Sequence, residues 1–330
     1  MGVRVKNGTV TRGAPPGPPA SLGRGPANGN GASAAGQRER TMRTAIARAN
    51  DYVSLTKPRI ISLLLLTTVA TMFVADPSGP PLSTILWTML GGYLAAGGAG
   101  AINHYLERES DARMERTSDR PLASGRISPA RGLTFGAALG IAATVQLAVT
   151  VNALTAALAA AGLLGYVFVY TLWLKPRTPQ NIVLGGAAGA MPPLVGWAAA
   201  TGDLSAQALW PFAIVFFWTP PHFWALSLLI SDDYARTGTP MLPVVRGEAT
   251  TRRQILAYSA LLLAISLGPV ATGLFGGLYL GAALALGLGF ISLAASLARH
   301  PSRAAARRLY LSSLAYLALL FVAMALDRGL

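Results

Sequence analysis

Three oxygen-bearing side chains stand four residues apart at the end of a long apolar segment: Asn103, Glu107 and Asp111. On an α-helix such residues differ in direction by about 40°, so all three would share one face. A carboxylate at the edge of a membrane is costly unless a cation or a partner neutralises it. Mg²⁺ suits such a site, because it prefers a few carboxylates together with substrate phosphate oxygens. The spacing predicts chemistry on a phosphorylated substrate at a membrane surface; an ordinary charged loop is the alternative.

A second acidic pair, Asp232 and Asp233, closes another apolar segment. Acidic groups at the C-terminal end of a helix oppose its dipole, which indicates that they have a further role. We expect this edge to face the first one, to hold a second metal ion and to enclose a diphosphate. The predicted catalytic and metal-binding residues are therefore Asn103, Glu107, Asp111, Asp232 and Asp233.

Basic residues near the acidic motifs are candidates for binding the diphosphate. They are Lys57, Arg59, Arg113, Arg116, Arg120, Lys175 and Arg177. The alternative is that each only anchors a loop at the membrane surface. Because a guanidinium can fork onto phosphate oxygens, the sequence favours Arg116, Arg120 and Arg177.

Long apolar stretches dominate the chain, which is 52% hydrophobic and only 12% charged. Nine of them, each of about 17–24 residues, are long enough to cross a bilayer. Their ranges are 59–75, 83–106, 132–150, 153–174, 181–200, 208–230, 254–272, 276–298 and 308–326. The sequence predicts an all-α membrane bundle of nine helices, and glycines such as Gly98 are expected to allow close packing within it.

The basic residues divide unevenly between the two predicted sides of the membrane. With a cytoplasmic N-terminus, 26 of the 27 Lys and Arg residues fall on the cytoplasmic side and only Arg328 falls outside. This asymmetry predicts the orientation and a cytoplasmic active site. Since the positive charge is spread among loops, we expect no nucleic-acid partner.

The N-terminal segment differs in composition from the rest of the chain. Residues 1–45 are rich in Gly, Pro, Ala and Arg, and are expected to be a disordered basic tail before a membrane domain at 46–330. The absence of cysteine excludes disulfides and thiolate-ligated metal centres from this sequence.

One histidine, His222, lies within the sixth apolar stretch. An ionisable group at that depth is a candidate functional residue, and imidazole is a common ligand of haem iron. A buried histidine is also often a hydrogen-bonded structural residue. Both interpretations of His222, substrate contact and structure, stay open.

Several segments resemble the UbiA-type intramembrane prenyltransferases. The segment Asn103-xxx-Glu107-xxx-Asp111 resembles the first signature of this family. The segments that resemble the haem-farnesylating branch are Leu55-Thr-Lys-Pro-Arg59, Tyr170-Thr, Lys175-Pro-Arg-Thr-Pro-Gln-Asn181, Thr219-Pro-Pro-His-Phe-Trp224 and Asp232-Asp-Tyr234. The resemblance runs from about residue 50 to the C-terminus. The chain departs from the general pattern in having Glu107 for the usual aspartate and Arg236 four residues after Asp232.

The resemblance implies an Mg²⁺-dependent transfer of the farnesyl group of farnesyl diphosphate to a vinyl group of haem B, giving haem O. Haem B is then a substrate and not a cofactor. The implied acceptor-pocket residues are His222, Tyr170, Asn181, Trp224 and Tyr234. The implied location is the bacterial inner membrane, with a haem O oxygenase (haem A synthase) or a terminal oxidase as a possible partner.

Two other functions compete with this one. A prenyltransferase could act on a quinone precursor or a chlorophyll-like ring, which the segment around His222 and the segment Asp232-Asp-Tyr234 argue against. A non-catalytic transporter would place its polar groups near the bilayer midplane. In this chain they are predicted at the cytoplasmic helix ends, which favours an enzyme.

Overall fold

A computed structural model describes the backbone of residues 30–329 and the side chains of residues 36 and 38–329. Throughout this part of the chain the regular structure is helical. The helices of the first half are α1 (Asn30–Leu55), α2 (Pro58–Ala75), α3 (Leu82–Leu106), α4 (Arg108–Asp111), α5 (Pro129–Thr150), α6 (Ala153–Leu164) and a π-helix (Gly165–Leu174). Those of the second half are α7 (Asn181–Gly189), α8 (Met191–Thr201), a 3₁₀ turn (Ala206–Ala208), α9 (Leu209–Leu229), α10 (Ser231–Arg236), α11 (Leu242–Ala271), α12 (Gly277–Arg299) and α13 (Arg303–Gly329).

Nine helical segments within residues 30–329 are long and apolar enough to cross a membrane. Each overlaps one predicted stretch, so the all-α bundle is confirmed for the described chain. The fourth segment joins α6 to the π-helix, and the fifth joins α7 to α8. Hydropathy locates these spans because each must bury about 30 Å of backbone in hydrocarbon, whatever its neighbours are.

Local helix geometry differs from the expectation in two places. The π-helix was not predicted. The seventh span begins at Leu242 and not near residue 254, with a kink at Gly247, whose φ is 77°. Helix α9 contains Pro220 and Pro221 within its length.

Most membrane helices within residues 48–329 pack around one large apolar core, whereas α3 and α5 pack with α6 in a smaller cluster. Helix α2 packs against α8 and α13, and α13 also packs against α9 and α12. Helices α3 and α5 approach closely at Gly98, where an added Cβ would lie 2.7 Å from the carbonyl oxygen of Gly136. The prediction that Gly98 allows close packing is confirmed.

Of the described residues, 30–47 belong to a unit separate from the membrane bundle. Residues 1–29 lie outside the described part of the chain, and the segment from Asn30 onward is helical as the first part of α1. Helical backbone from Asn30 onward was not predicted, and the division into a disordered tail at 1–45 and a membrane domain at 46–330 stays a prediction. The alternation of apolar and basic residues over this stretch supports a helix, whereas the Gly and Pro content that suggested disorder comes mainly from residues 1–29.

Candidate active site

The first acidic motif spans the end of α3 and the short α4. Helix α3 ends at Leu106, yet backbone hydrogen bonds continue from Glu107 N to Asn103 O (2.9 Å) and from Asp111 N to Glu107 O (2.7 Å). The helical register therefore persists through the end of α3. Asn103 and Asp111 are buried, and the Glu107 side chain is 14% exposed.

Each side chain of this motif binds one basic side chain from elsewhere in the sequence. Lys57 Nζ donates to Asn103 Oδ1 at 2.7 Å, and Arg120 pairs with Asp111 at 2.7 Å. Lys175 donates to Glu107 Oε1. Three oxygen-bearing side chains are thus paired with three basic side chains in one cluster at the end of α3. This arrangement can neutralise the acidic motif and can also offer positive charge to an anionic ligand.

Lys57 occupies an unusual backbone position. Its φ is 57°, and among the described residues it alone combines a positive φ with a side chain. The left-handed conformation costs roughly 1–2 kcal/mol for such a residue, so the surrounding structure must hold it there. It directly precedes Pro58, the first residue of α2. Burial and the nearby charge of Arg120 lower the pKa of Lys57 from 10.5 to about 7.

Glu107 and Lys175 form a charged pair at the membrane boundary. Burial alone would raise the pKa of Glu107, but the charge and hydrogen bond of Lys175 outweigh it and lower that pKa. For Lys175, burial acts to lower the pKa, and the charge of Glu107 reverses this and raises it. Each group therefore keeps the other ionised.

The π-helix orients Asn103. Thr171 Oγ1 donates its proton to Tyr166 O at 2.9 Å, five residues back, and so can only accept from Asn103 Nδ2 at 3.2 Å. The amide nitrogen of Asn103 is thereby turned toward Thr171, and its oxygen toward Lys57. A hydroxyl has a single proton, so this chain of hydrogen bonds fixes which end of the amide faces the cluster.

The second acidic motif lies on α10. Asp233 is buried and pairs with Arg236, whereas Asp232 is exposed. Burial raises the pKa of Tyr234, and the charges of Lys175 and Arg116 partly oppose this rise. The hydrogen bond and charge of Asp233 raise the pKa of Arg236, with a smaller contribution from Glu115 in the first loop. Glu115 and Arg116, in the loop after the first motif, are thus near enough to influence these two pKa values.

The predicted diphosphate-binding residues fall into two groups. Lys57, Arg120 and Lys175 pair with the first motif, as described above. The other four are exposed: Arg59, Arg113, Arg116 and Arg177. Arg177 donates to the carbonyl oxygens of Leu172 (2.8 Å) and Trp173 (3.1 Å), which caps the end of the π-helix. Of the three arginines that the sequence favoured, only Arg120 pairs with a motif side chain.

His222 and Trp224, two of the predicted acceptor residues, point to different neighbours. His222 Nδ1 lies 2.6 Å from Ser313 Oγ, and the ring stacks between Trp218 and Tyr310. Trp224 packs edge-on against Tyr258 of α11. Because residues two apart on a helix differ by about 200°, the structure does not gather these two into one pocket. The contacts of His222 fit the structural interpretation.

The remaining predicted acceptor residues are Tyr170, Asn181 and Tyr234. Tyr170 and Tyr234 belong to the same apolar core cluster. Asn181 is fully buried; its Nδ2 donates to Thr178 O at 2.7 Å, whereas its Oδ1 has no partner within the described chain. A pocket formed by Tyr170, Asn181 and Tyr234 stays a prediction.

Residues 64–322 match the model of the UbiA prenyltransferase family. This match covers well over half of the 330-residue chain. The chain belongs to the UbiA prenyltransferase family.

Curated relatives within this family share about half of their residues with the chain. The protoheme IX farnesyltransferase of Roseiflexus sp. (strain RS-1) is 54% identical over 278 residues, covering 84% of this chain and 52% of that protein. The protein of the same name from Symbiobacterium thermophilum is 53% identical over 279 residues, covering 84% of this chain and 93% of that protein. The chain thus spans about half the length of the Roseiflexus relative and nearly all of the Symbiobacterium one.

Solved structures share the UbiA fold at low sequence identity. A structure of digeranylgeranylglyceryl phosphate synthase matches with a TM-score of 0.68 at 16% identity, covering 86% of this chain and 99% of that one. A UbiA homologue from Archaeoglobus fulgidus, bound to GPP and Mg²⁺, matches with a TM-score of 0.58 at 15% identity, covering 83% and 99%. These matches show that the nine-helix bundle is the UbiA fold.

The donor chemistry of this UbiA-family site suits magnesium. Within residues 30–329 no three His, Cys, Asp or Glu side chains are close enough together to hold one ion. Magnesium, however, usually takes only one or two carboxylates and completes its octahedron with phosphate oxygens and water. Glu107 and Asp111 with the amide oxygen of Asn103 supply such a partial set, and Asp233 supplies a second carboxylate edge. The residues present therefore fit the metal.

Neither Thr171 nor the π-helix was predicted from the sequence as part of the site. Thr171 appears in the quoted segment Tyr170-Thr, and it stands four residues before Lys175, as Asn103 stands four before Glu107. That equal spacing was a usable signal, because two helices packed side by side can pair residues at each turn. No comparable spacing in the sequence indicates the hydrogen bond from Thr171 Oγ1 to Tyr166 O, five residues back.

Proposed function

We propose that this chain is a magnesium-dependent prenyltransferase that moves the farnesyl group of farnesyl diphosphate onto a vinyl group of protoheme IX, giving haem O and diphosphate. The observation that carries the proposal is the cluster of Asn103, Glu107 and Asp111 alternating with Lys57, Lys175 and Arg120 at one end of a membrane bundle. The name of the curated relatives supports the choice of substrates.

The cations of the cluster are proposed to hold the diphosphate. Lys57, Lys175 and Arg120 each carry N–H groups that can turn from a motif oxygen to a phosphate oxygen. The lowered pKa of Lys57 leaves this amine only partly charged before substrate arrives. An incoming diphosphate favours its charged form, because a nearby anion raises the pKa of an amine.

When bound, Mg²⁺ supplies Lewis-acid stabilisation of the negative charge that builds on the departing diphosphate. Asn103, Glu107 and Asp111 would hold one ion, and Asp232 and Asp233 are the predicted ligands of a second. Of these two, the burial of Asp233 favours it over the exposed Asp232. Thr171 keeps the amide oxygen of Asn103 turned toward this site.

The group transfer needs no side-chain nucleophile. The bond between C1 of farnesyl and its oxygen breaks, and the diphosphate leaves with the electron pair. The vinyl π electrons of the porphyrin form the new bond to C1. Water then adds to the resulting porphyrin-side cation and loses a proton, which gives the hydroxyethylfarnesyl group. The chain's contribution is to position both substrates and to stabilise charge.

The cellular setting follows from the same proposal. We place the active site on the cytoplasmic side of a bacterial inner membrane, because the predicted cytoplasmic loops carry 26 of the 27 basic residues. The bilayer would hold the farnesyl tail and haem. A haem O oxygenase or a terminal oxidase would take up the product.

Mass spectrometry of a reaction with purified protein tests the proposal. Detergent-solubilised protein is supplied with haem B, farnesyl diphosphate and Mg²⁺, with EDTA added to a parallel sample. We expect a haem species that has gained one farnesyl group and the elements of water, absent with EDTA. Asp203→Asn, in an exposed loop after α8, is the matched control for carboxylate replacements. If the protein prenylates a quinone precursor and not haem B, the proposed acceptor is wrong. If it prenylates neither compound, the proposed enzymatic activity is wrong.

A further inference from the structure

Helix α1 has an apolar stripe along one side. Met42, Ala45, Ile46, Ala49 and Val53 occupy positions i, i+3, i+4, i+7 and i+11. On a helix this spacing aligns them within about 100° of arc. Arg40, Arg43 and Arg48 fall outside that arc. We call the five apolar residues the α1 stripe.

The α1 stripe is open to its surroundings. Met42 is 63% exposed, Ile46 56% and Val53 51%. Single exposed apolar residues are common on protein surfaces, but an aligned set along one helix face marks an interaction site. Within the described chain, these three side chains therefore have most of their surface left for a partner.

Charge and chain connectivity indicate what that partner is. Arg38, Arg40, Arg43 and Arg48 are exposed on the same helix, while its two acidic residues in this stretch are already paired, Glu39 with Arg43 and Asp51 with Arg126. Basic residues beside an apolar stripe suit an anionic membrane surface. Furthermore, Val53 lies only five residues before Pro58, where the first membrane span begins. Even a fully extended chain of that length spans at most about 18 Å.

We propose that the α1 stripe binds the interfacial region of an anionic bilayer, with the arginines contacting lipid phosphates. A second copy of the chain is the competing partner for an apolar stripe. The membrane is favoured because the arginines would repel those of a second copy, whereas anionic lipids attract them. This inference does not depend on the proposed prenyl transfer.

The absence of cysteine from the sequence makes a direct test possible. Single cysteines are introduced into the full chain in nanodiscs with anionic lipid and are labelled with a nitroxide. The stripe variants are Met42→Cys, Ile46→Cys and Val53→Cys; the matched variants on the opposite side are Thr44→Cys and Ala47→Cys. Electron paramagnetic resonance then compares the collision of each label with oxygen, which enters lipid, and with a water-soluble nickel chelate.

We expect labels on the stripe to collide preferentially with oxygen, and labels on the opposite side with nickel. Replacing the anionic lipid with a neutral one should shift the stripe labels toward nickel. Equal nickel access on both sides would overturn the proposal, as would dipolar broadening between two stripe labels from different copies. Because all five positions are exposed in the structure, the labels should not disturb folding.

Discussion

The two acidic motifs are built in different ways. In the first, Asn103 and Glu107 are held by basic partners 46 and 68 residues away in the sequence, and Asp111 pairs with Arg120 of the following loop. In the second, Asp233 pairs with Arg236 on the same short helix, and Asp232 is exposed. A buried charge needs a partner held in fixed geometry, whereas an exposed charge is solvated by water. The first motif is therefore preorganised by the fold, and the second depends more on what binds there.

The largest expected effect is at the first motif. Asp111→Asn removes a charge that the fold has buried against Arg120. We expect prenyl transfer to fall on the order of 10²–10³-fold, as for the loss of one preorganised electrostatic group. The measurement is product formation under saturating Mg²⁺, with Asp203→Asn as control. Size-exclusion profiles of both variants show whether the bundle is intact. Near-normal turnover in folded Asp111→Asn protein would contradict the metal–diphosphate model.

The second motif offers a comparison between neighbours. We expect Asp233→Asn to reduce turnover by roughly tenfold to a hundredfold, since a buried charged hydrogen-bonding group is lost. Asp232→Asn should have a much smaller effect, because its side chain is exposed. Measuring both variants side by side at several Mg²⁺ concentrations tests this difference. Equal losses would mean that both carboxylates contact the ligand directly.

A smaller effect is expected at Thr171. Thr171→Val keeps the side-chain shape but removes the oxygen that accepts from Asn103 Nδ2. The amide can then turn, and we expect the Mg²⁺ concentration for half-maximal activity to rise about tenfold, as for other residues that orient a metal ligand.

Thr171→Ser is the matched variant, because it retains the hydroxyl and should restore the Mg²⁺ dependence. Binding of Mn²⁺, followed by electron paramagnetic resonance without substrate, separates metal affinity from turnover. If the valine and serine variants bind Mn²⁺ alike, Thr171 does not orient Asn103.

The smallest effect is expected at Arg177. Its guanidinium caps backbone carbonyls at the end of the π-helix and is exposed. Arg177→Gln should change activity by less than about twofold, the usual range for exposed positions. A large rise in the KM for farnesyl diphosphate would instead place Arg177 on the substrate.

Sequence reasoning worked best where the physics is local. The nine spans follow from length and hydropathy, which act within each segment. The register of Asn103, Glu107 and Asp111 follows from helix geometry, and the structure preserves it across the end of α3. The partner of each basic residue was harder to predict from the sequence. Lys175 and Arg177 stand two residues apart, yet Lys175 pairs with Glu107 and Arg177 donates to backbone carbonyl oxygens.

Hydropathy and residue spacing along the chain were enough to predict the helical class, the membrane spans and the positions of the two acidic motifs. That Lys57, Arg120 and Lys175 are the partners of the first motif, and that Thr171 orients Asn103, is seen only once the helices are packed together. The partners of Asn103 and Glu107 lie 46 and 68 residues away in sequence. Such pairs depend on how each helix is rotated against its neighbour, a quantity that no single segment encodes.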